Sequence, residues 1–294
     1  MQLQECPTAT TTQKSVWQEL ASLPHEISYV QVGLWSTRVL TAGQGSETVV
    51  LIAGTSGHLE AHAWNLRALS EHFRVIAYDS PGHGYTTPAT SDLEIADYME
   101  HLRALLDTFG IDKAHIAGES LGGWIAAKFA AAYPERVLKV ILNAPGGTML
   151  PAERLALVRQ LSQAAVDSPT EENVRERLEL VMASPASVTD ELVAIRRAIY
   201  SQPAFAESMR HILCLQDPEI RRRNLITDDE FAAIPNEALV VWTTEEPSGP
   251  GAVGRSMAAK IPKGEFLMIQ NAAHWPQWEQ PELYNTSALE FLRK

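Results

Sequence analysis

Residues 114–129 read AHIAGESLGGWIAAKF, and this stretch decides the fold. It begins as a short apolar run, breaks at G-E-S-L-G and resumes as a run of small and apolar residues, which predicts a buried strand, a sharp turn and a helix. Such a turn holds Ser120 in a strained backbone conformation with its Oγ exposed. Gly118 and Gly122 are needed because a Cβ at either position would collide with the neighbouring helix or strand. A Gly-rich structural turn can match the pentapeptide alone, but the flanking patterns favour a nucleophilic serine.

Composition excludes several classes of function. The chain has 294 residues, ordinary apolar content and a net charge of −12, which argues against a nucleic-acid partner or an anionic membrane surface. Cys6 and Cys214 are too far apart in sequence to suggest a disulfide or metal framework. There is no apolar run long enough to span a membrane and no signal-peptide pattern, and residues 1–13 have the character of a loose tail. We therefore expect a cytoplasmic protein that acts on a small molecule without a metal or an organic cofactor.

Seven further apolar runs are typical of strands, and helical patterns alternate with them after the first three. The alternation predicts an eight-stranded, mostly parallel α/β sheet with helices on both faces. The predicted strands other than the one before Ser120 cover residues 27–32, 34–40, 48–53, 74–78, 137–142, 238–243 and 265–270.

The pattern changes between residues 151 and 223, where helical periodicity occurs without any strand-like run. This predicts a helical lid, residues 148–223, inserted after the sixth strand of a core formed by residues 14–147 and 224–294. A lid above the carboxyl ends of the strands would cover Ser120, so the interface between lid and core is the expected pocket.

A serine nucleophile needs a base and a group that orients the base, and in this architecture they follow in the order Ser, acid, His. His274 lies directly after the last strand and before the final helix, on the same edge of the sheet as Ser120. His115 is expected to pack in the core or at a sheet edge, and His83 to be structural. The other histidines are expected on helix or loop surfaces: His25, His58, His62, His72, His101 and His211.

The acid is expected after the strand 238–243, where two carboxylates precede Pro247. We prefer Glu246, which keeps an offset of about three residues from the strand end, and Glu245 is the alternative. The other place where such folds carry the acid, after the sixth strand, has Asn143 and no carboxylate.

The oxyanion hole needs two backbone donors. The turn that carries Ser120 aims the N–H of Leu121 at the oxyanion position. The second donor is expected in the loop Gly54–Gly57, and we nominate the N–H of Thr55. The alternative is that this loop is a plain Gly-rich turn without substrate contact.

On these residues the chain resembles the meta-cleavage product hydrolases, which are serine-dependent C–C bond hydrolases with the α/β-hydrolase fold. The likeness covers most of the chain outside the tail. It rests on GESLGG at 118–123, NAPGG at 143–147, HWPQWE at 274–279, and VTDEL at 188–192 followed by Arg196. The catalytic motifs are common to the superfamily, whereas the lid arginine and the His-Trp pair are more particular to this family.

The resemblance implies cleavage of a 2-hydroxy-6-oxo-hexa-2,4-dienoate produced by ring-opening of a catechol. The substrate would ketonise with its carboxylate near Arg196, Ser120 would attack the distal ketone with His274 as base, and water would hydrolyse the acyl-enzyme. Trp275 matches a residue that lines the site beside the histidine. Arg196 also has a plainer interpretation, as a solvated charge on an amphipathic helix like Arg197. Dimers are common in the family, so a homodimer is possible.

The chain departs from the family at four places, one of which is the loop between Gly57 and Trp64, about two residues longer than usual. The oxyanion loop reads A-G-T-S at 53–56 instead of a His-Gly-Gly-Gly pattern, Glu119 replaces the common asparagine before the nucleophile, and the acid is glutamate instead of aspartate. Gly54 and Glu119 fall in the subsite for the dienoate, so both are expected to contact substrate. A carboxylesterase for a small aromatic or alkyl ester is therefore the alternative function. A catalytically inactive binding protein and a haloalkane dehalogenase are disfavoured by the intact triad and by serine at the nucleophile position.

Overall fold

A computed structural model describes residues 15–294, so the predicted tail at 1–13 lies outside the described residues. Eight strands form where the apolar runs were predicted, within one to two residues at each end in most cases. They are β1 His25–Val32, β2 Trp35–Ala42, β3 Thr48–Ile52, β4 Arg74–Tyr78, β5 Ala114–Glu119, β6 Val137–Asn143, β7 Glu237–Thr243 and β8 Gly264–Ile269.

The strands form one sheet in the order β1-β2-β4-β3-β5-β6-β7-β8. β2 is antiparallel to both of its neighbours, and all remaining pairs are parallel. The predicted eight-stranded, mostly parallel sheet is confirmed. From β3 the order runs to β4 on one side and to β5 on the other, and ligands of open α/β sheets bind at such a switch point, beyond the carboxyl ends of the strands.

The central strands are apolar without alternation because both faces of the sheet are covered. In β3, Val49 and Leu51 pack into the core on one face, whereas Val50 and Ile52 pack into the core on the other. All six residues of β5 are buried. A continuous apolar run is what a strand buried on both faces requires.

Helices on both faces of the sheet provide this cover. Those outside the interval between β6 and β7 are α1 Val16–Ala21, α2 Ala63–Ser70, α3 Ile95–Thr108, α4 Leu121–Ala132, α11 Gly251–Lys260, α12 Pro276–Glu279 and α13 Pro281–Leu292. None of the helices within residues 15–294 is long and apolar enough to cross a membrane.

The interval between β6 and β7 is helical in the structure. Its helices are α5 Ala152–Asp167, α6 Glu171–Glu179, α7 Asp190–Tyr200, α8 Phe205–Ile212, α9 Pro218–Asn224 and α10 Asp228–Ala232. All but the last begin within the stretch 151–223 in which helical periodicity was predicted. Asp217 is the N-cap of α9 and Pro218 its first residue, a position that proline tolerates well. The division into core and lid at residues 148 and 223 stays a prediction.

Candidate active site

Ser120 lies in the turn between β5 and α4, with φ 55° and ψ −112°. Left-handed φ is rare for a residue other than glycine and marks backbone strain. The two glycines of the motif make this turn possible. A Cβ on Gly118 would lie 2.1 Å from the carbonyl oxygen of Gly122, and a Cβ on Gly122 would lie 2.2 Å from that of Ile52. The helix and the strand can therefore approach closely enough to present the serine at the carboxyl edge of the sheet.

His274 and Glu246 meet beside this turn. His274 follows β8 and Glu246 follows β7, and these strands are neighbours in the sheet. Nδ1 of His274 lies 2.8 Å from Oε1 and 3.0 Å from Oε2 of Glu246. The backbone N–H and the hydroxyl of Ser248 also donate to Oε1 of Glu246, at 3.0 and 2.6 Å. The carboxylate is thus held in place and orients the imidazole. Glu245, the alternative acid, is exposed.

Charge stabilises this pair in its ionised form. Burial opposes ionisation of Glu246, but the charge and hydrogen bond of His274, together with Ser248, outweigh it and lower the pKa of Glu246. Burial likewise opposes protonation of His274, but Glu246, helped by Glu119, outweighs it and raises the pKa of His274. An imidazole with a raised pKa is a stronger base, which suits it to take a proton from a serine.

Ser120 and the nominated oxyanion donors line one cavity. Among the residues that the structure describes, none forms a hydrogen bond with Oγ of Ser120, and catalytic hydrogen bonds are often long in enzymes without substrate. Leu121 is the first residue of α4, so its N–H has no partner within the helix. Thr55, Leu121 and Ser120 all line the cavity, together with Glu246 and His274.

Arg196 lies in the same cavity, and its interpretation as a solvated charge is wrong because the residue is only 2% exposed. Its Nη1 donates to the carbonyl oxygen of Ser56 at 2.7 Å and contacts the hydroxyls of Ser56 and Tyr200 at 3.2 and 3.0 Å. The guanidinium lies between the rings of Tyr200 and Trp275, 5.6 and 5.5 Å from their centroids. Nε and Nη2 are buried without a hydrogen-bond partner among the described residues. Two nitrogen atoms of this buried cation therefore lack the hydrogen-bond partners that burial ordinarily requires.

Three further arginines, which no sequence motif marks, line this cavity: Arg154, Arg177 and Arg221. All three donate to neutral groups. Arg154 donates to the Leu180 carbonyl oxygen at 3.5 Å, and Arg177 donates to the Ser162 hydroxyl at 2.7 Å. Arg221 donates to the carbonyl oxygens of Thr148 and Leu215 at 2.7 and 3.3 Å. Within residues 15–294, no carboxylate lies within ion-pairing distance of them. Burial lowers the pKa of Arg177 and of Arg221 to about 10. Their helical spacing resembles that of any amphipathic helix, so the sequence offers no signal that they face a pocket.

Glu279, which was not predicted as a site residue, supports the loop that carries His274. Its carboxylate accepts hydrogen bonds from the backbone N–H groups of Ala183, Ser184 and Ala273 and from the hydroxyl of Ser187. Ala273 precedes His274, so Glu279 ties the histidine loop to the chain between α6 and α7. Its place in the motif HWPQWE was the available signal.

Glu119 and Gly54 are in direct contact. Oε2 of Glu119 accepts the N–H of Gly54 at 2.8 Å, and Oε1 lies 3.5 Å from Nε2 of His274. A Cβ on Gly54 would lie 2.7 Å from Oε2 of Glu119 and 2.9 Å from Cβ of Ser120. Both residues therefore border the nucleophile.

Several other histidines differ from expectation. His58, His62 and His101, expected on the surface, are buried. Two of them have polar partners in the interior, because Nδ1 of His58 lies 2.9 Å from Oε2 of Glu60 and Nε2 of His101 lies 2.9 Å from the hydroxyl of Thr37. A hydrogen-bond partner in the interior allows a histidine to be buried. The sequence does not show which residue provides it.

The family model for the alpha/beta hydrolase fold matches residues 47–281. A 2-hydroxy-6-oxononadienedioate/2-hydroxy-6-oxononatrienedioate hydrolase of Burkholderia vietnamiensis is 32% identical over 86% of this chain and 89% of its own length. A 2-hydroxy-6-oxo-6-phenylhexa-2,4-dienoate hydrolase of Burkholderia cepacia is 30% identical over 85% and 89%.

Among solved structures, the meta-cleavage product hydrolase of Pseudomonas fluorescens IP01 is similar with a TM-score of 0.78 and 28% identity, over 90% of this chain and 97% of that one. The predicted resemblance is thereby confirmed. The chain belongs to the α/β-hydrolase family, as a hydrolase related to the meta-cleavage product hydrolases.

Proposed function

We propose that this enzyme hydrolyses a C–C bond of a 2-hydroxy-6-oxo-dienoate through an acyl-enzyme on Ser120, with His274 as base and Glu246 as its orienting acid. The observation that carries the proposal is the combination of this Glu246–His274 pair with the two unpartnered donors of Arg196 in one cavity. An enzyme that hydrolyses a neutral ester needs only the Glu246–His274 pair. An enzyme whose substrate carries a carboxylate also needs a cation such as Arg196 to bind it.

The chemistry follows from the arrangement. Arg196 binds the carboxylate of the dienoate, which ketonises by moving its enol proton to carbon. Oγ of Ser120 then attacks the distal ketone while Nε2 of His274 takes the hydroxyl proton, and the N–H groups of Leu121 and Thr55 receive the developing oxyanion. The oxyanion collapses and the C–C bond breaks, and its electron pair passes into the conjugated ketone to give a dienolate. The dienolate takes the proton from His274 and leaves as a 2-hydroxypentadienoate, while the acyl group stays on Ser120. Water activated by His274 releases it as a carboxylic acid.

The additional arginines favour a substrate with a second carboxylate. Arg154, Arg177 and Arg221 place three more positive charges on the cavity wall, each bonded to neutral groups only. Buried cations without counter-ions carry a desolvation cost that a bound anion offsets. The relative from Burkholderia vietnamiensis is named for a dioate, which by its name carries two carboxylates. We therefore propose that the dioate is preferred over the phenyl analogue.

Replacement of Arg196 by Gln tests the proposal. The loss of a charged clamp should raise the KM for the dienoate by about 10- to 100-fold. Hydrolysis of p-nitrophenyl acetate, which has no carboxylate, should be nearly unchanged. Arg197→Gln is the matched control, because Arg197 is the exposed neighbour on the same helix. Equal losses on both substrates, or no loss on the dienoate, would contradict the role of Arg196 and favour the carboxylesterase.

A further inference from the structure

Glu119 brings a second carboxyl group, besides Glu246, to the immediate surroundings of His274 and Ser120. It is the last residue of β5 and directly precedes the nucleophile. The residue is 1% exposed. A carboxyl group is almost never buried to this degree unless it is paired or bonded, so its contacts indicate what it does.

Its two oxygens face different parts of the active site. Oε2 accepts the N–H of Gly54 at 2.8 Å, which attaches the carboxyl group to the loop of the nominated oxyanion donor Thr55. Oε1 is buried and has no hydrogen-bond partner among the described residues. It lies 3.5 Å from Nε2 of His274, the nitrogen that must receive the proton of Ser120.

The charged and titratable groups around Glu119 come from five parts of the fold. They are His274 after β8, Glu246 after β7, Arg196 on α7, Arg177 on α6 and Tyr284 on α13. Burial raises the pKa of Glu119 to about 7, against the opposing effects of His274 and the Gly54 N–H. Glu246 adds to the increase and Arg196 reduces it. Glu119 also raises the pKa of His274, and ionisable groups that interact so closely titrate as a pair.

We propose that Glu119 is a positioning residue that shares one proton with Nε2 of His274 through Oε1 and fixes the oxyanion loop through Oε2. The proton moves between a carboxyl oxygen and a ring nitrogen, so the total charge of the pair is unchanged. The form with neutral imidazole and protonated Glu119 is ready to accept the proton of Ser120. The form with imidazolium and carboxylate is not. This inference rests on the proposed role of His274 as base.

The test uses the pH dependence of Ser120 labelling by a fluorophosphonate, which requires the base but no dienoate. Glu119→Gln keeps an amide oxygen that can accept the Gly54 N–H and removes the ionisation. Without the carboxylate, the pKa of His274 falls, so the acid limb of labelling should move to lower pH by about 0.5–1 unit and follow a single ionisation. Glu245→Gln removes an exposed carboxylate and should leave the limb in place.

Glu119→Ala separates the effect of Glu119 on His274 from its anchoring of the Gly54 loop. It should show the same shift of the acid limb and, in addition, slower labelling at every pH, because the Gly54 loop loses its anchor. An acid limb that stays unchanged in the Gln variant overturns the proposal, since a residue that only packs would leave the pH profile in place.

A second measurement covers the case in which the variants do not fold. In wild-type protein with ¹⁵N-labelled histidine, Nε2 of His274 should titrate in two coupled steps, and a single step overturns the proposal. Failure of the proposed function gives a different result. If wild-type Ser120 is not labelled at any pH, the nucleophile assignment fails. If labelling is normal but no dienoate is cleaved, only the substrate is wrong.

Discussion

Nδ1 of His274 lies 2.8 Å from Oε1 of Glu246, although 28 positions separate the two residues in the chain. Two parallel neighbouring strands, β7 and β8, end at the same edge of the sheet and bring them together. The longer glutamate side chain is accommodated because Ser248, two residues further on, holds Oε1 through its N–H and hydroxyl. A glutamate at the proposed acid position therefore keeps its contact with the histidine in this fold.

Replacing Glu246 by Gln should lower kcat by about 10²- to 10⁴-fold, because the amide no longer holds the imidazole in the required tautomer or stabilises imidazolium. Steady-state kinetics with a p-nitrophenyl ester or a dienoate measures this. Glu245→Gln is the matched control. Its side chain is exposed, so kcat should stay within about twofold of wild type. A larger loss in the Glu245 variant than in the Glu246 variant would reverse the assignment.

The raised pKa of His274 predicts the direction of the pH profile. The base must be neutral, so kcat/KM falls as pH falls through the pKa of His274, and Glu246 and Glu119 raise that pKa above the ordinary value of 6.5. The acid limb of kcat/KM should therefore lie above pH 6.5 in the wild type and move to lower pH in Glu246→Gln. A limb below the ordinary histidine range in wild-type enzyme would be inconsistent with this electrostatic arrangement.

Arg154 provides the test of the second carboxylate. It is the pocket arginine with the weakest hydrogen bond to the protein, at 3.5 Å to the Leu180 carbonyl oxygen, so its loss should disturb the fold least. Arg154→Leu should reduce kcat/KM for the dioate by about 10-fold. Turnover of the phenyl dienoate should be the same or improved, because the apolar side chain suits a ring. Competition assays with both ring-fission products give the ratio of kcat/KM for the dioate to kcat/KM for the phenyl dienoate. If this ratio is unchanged in the variant, Arg154 does not contribute to substrate recognition.

Much of the fold was predictable because the central strands are nearly continuous apolar runs, as in residues 48–53, which lie between Glu47 and Gly54. The position of Ser120 followed from the two glycines that only a tight turn requires. The bounds of a short helix such as α9 leave little signal in the sequence, because Asp217 followed by Pro218 is as typical of a turn as of a helix start.

The positions of Ser120 and His274 at one edge of the sheet were predictable because each residue closely follows a strand. The site was not predictable where function depends on which face of a helix meets the cavity. Arg177 and Arg221 are buried cations on α6 and α9, and nothing local distinguishes them from exposed neighbours such as Arg222. The contact of Glu119 with both Gly54 and His274 joins three separate strand ends, so only the assembled sheet reveals it.

The central claim is that Ser120 drives C–C hydrolysis of a ring-fission product. The most direct measurement generates these products enzymatically from catechol, 3-methylcatechol, 2,3-dihydroxybiphenyl and 3-(2,3-dihydroxyphenyl)propanoate, then follows loss of the yellow dienolate on addition of the protein. We predict rapid bleaching, fastest with the dioate from the propanoate, and a loss of at least about 10³-fold in Ser120→Ala. Hydrolysis of p-nitrophenyl butyrate without bleaching of any dienolate would contradict the claim and make the protein a carboxylesterase.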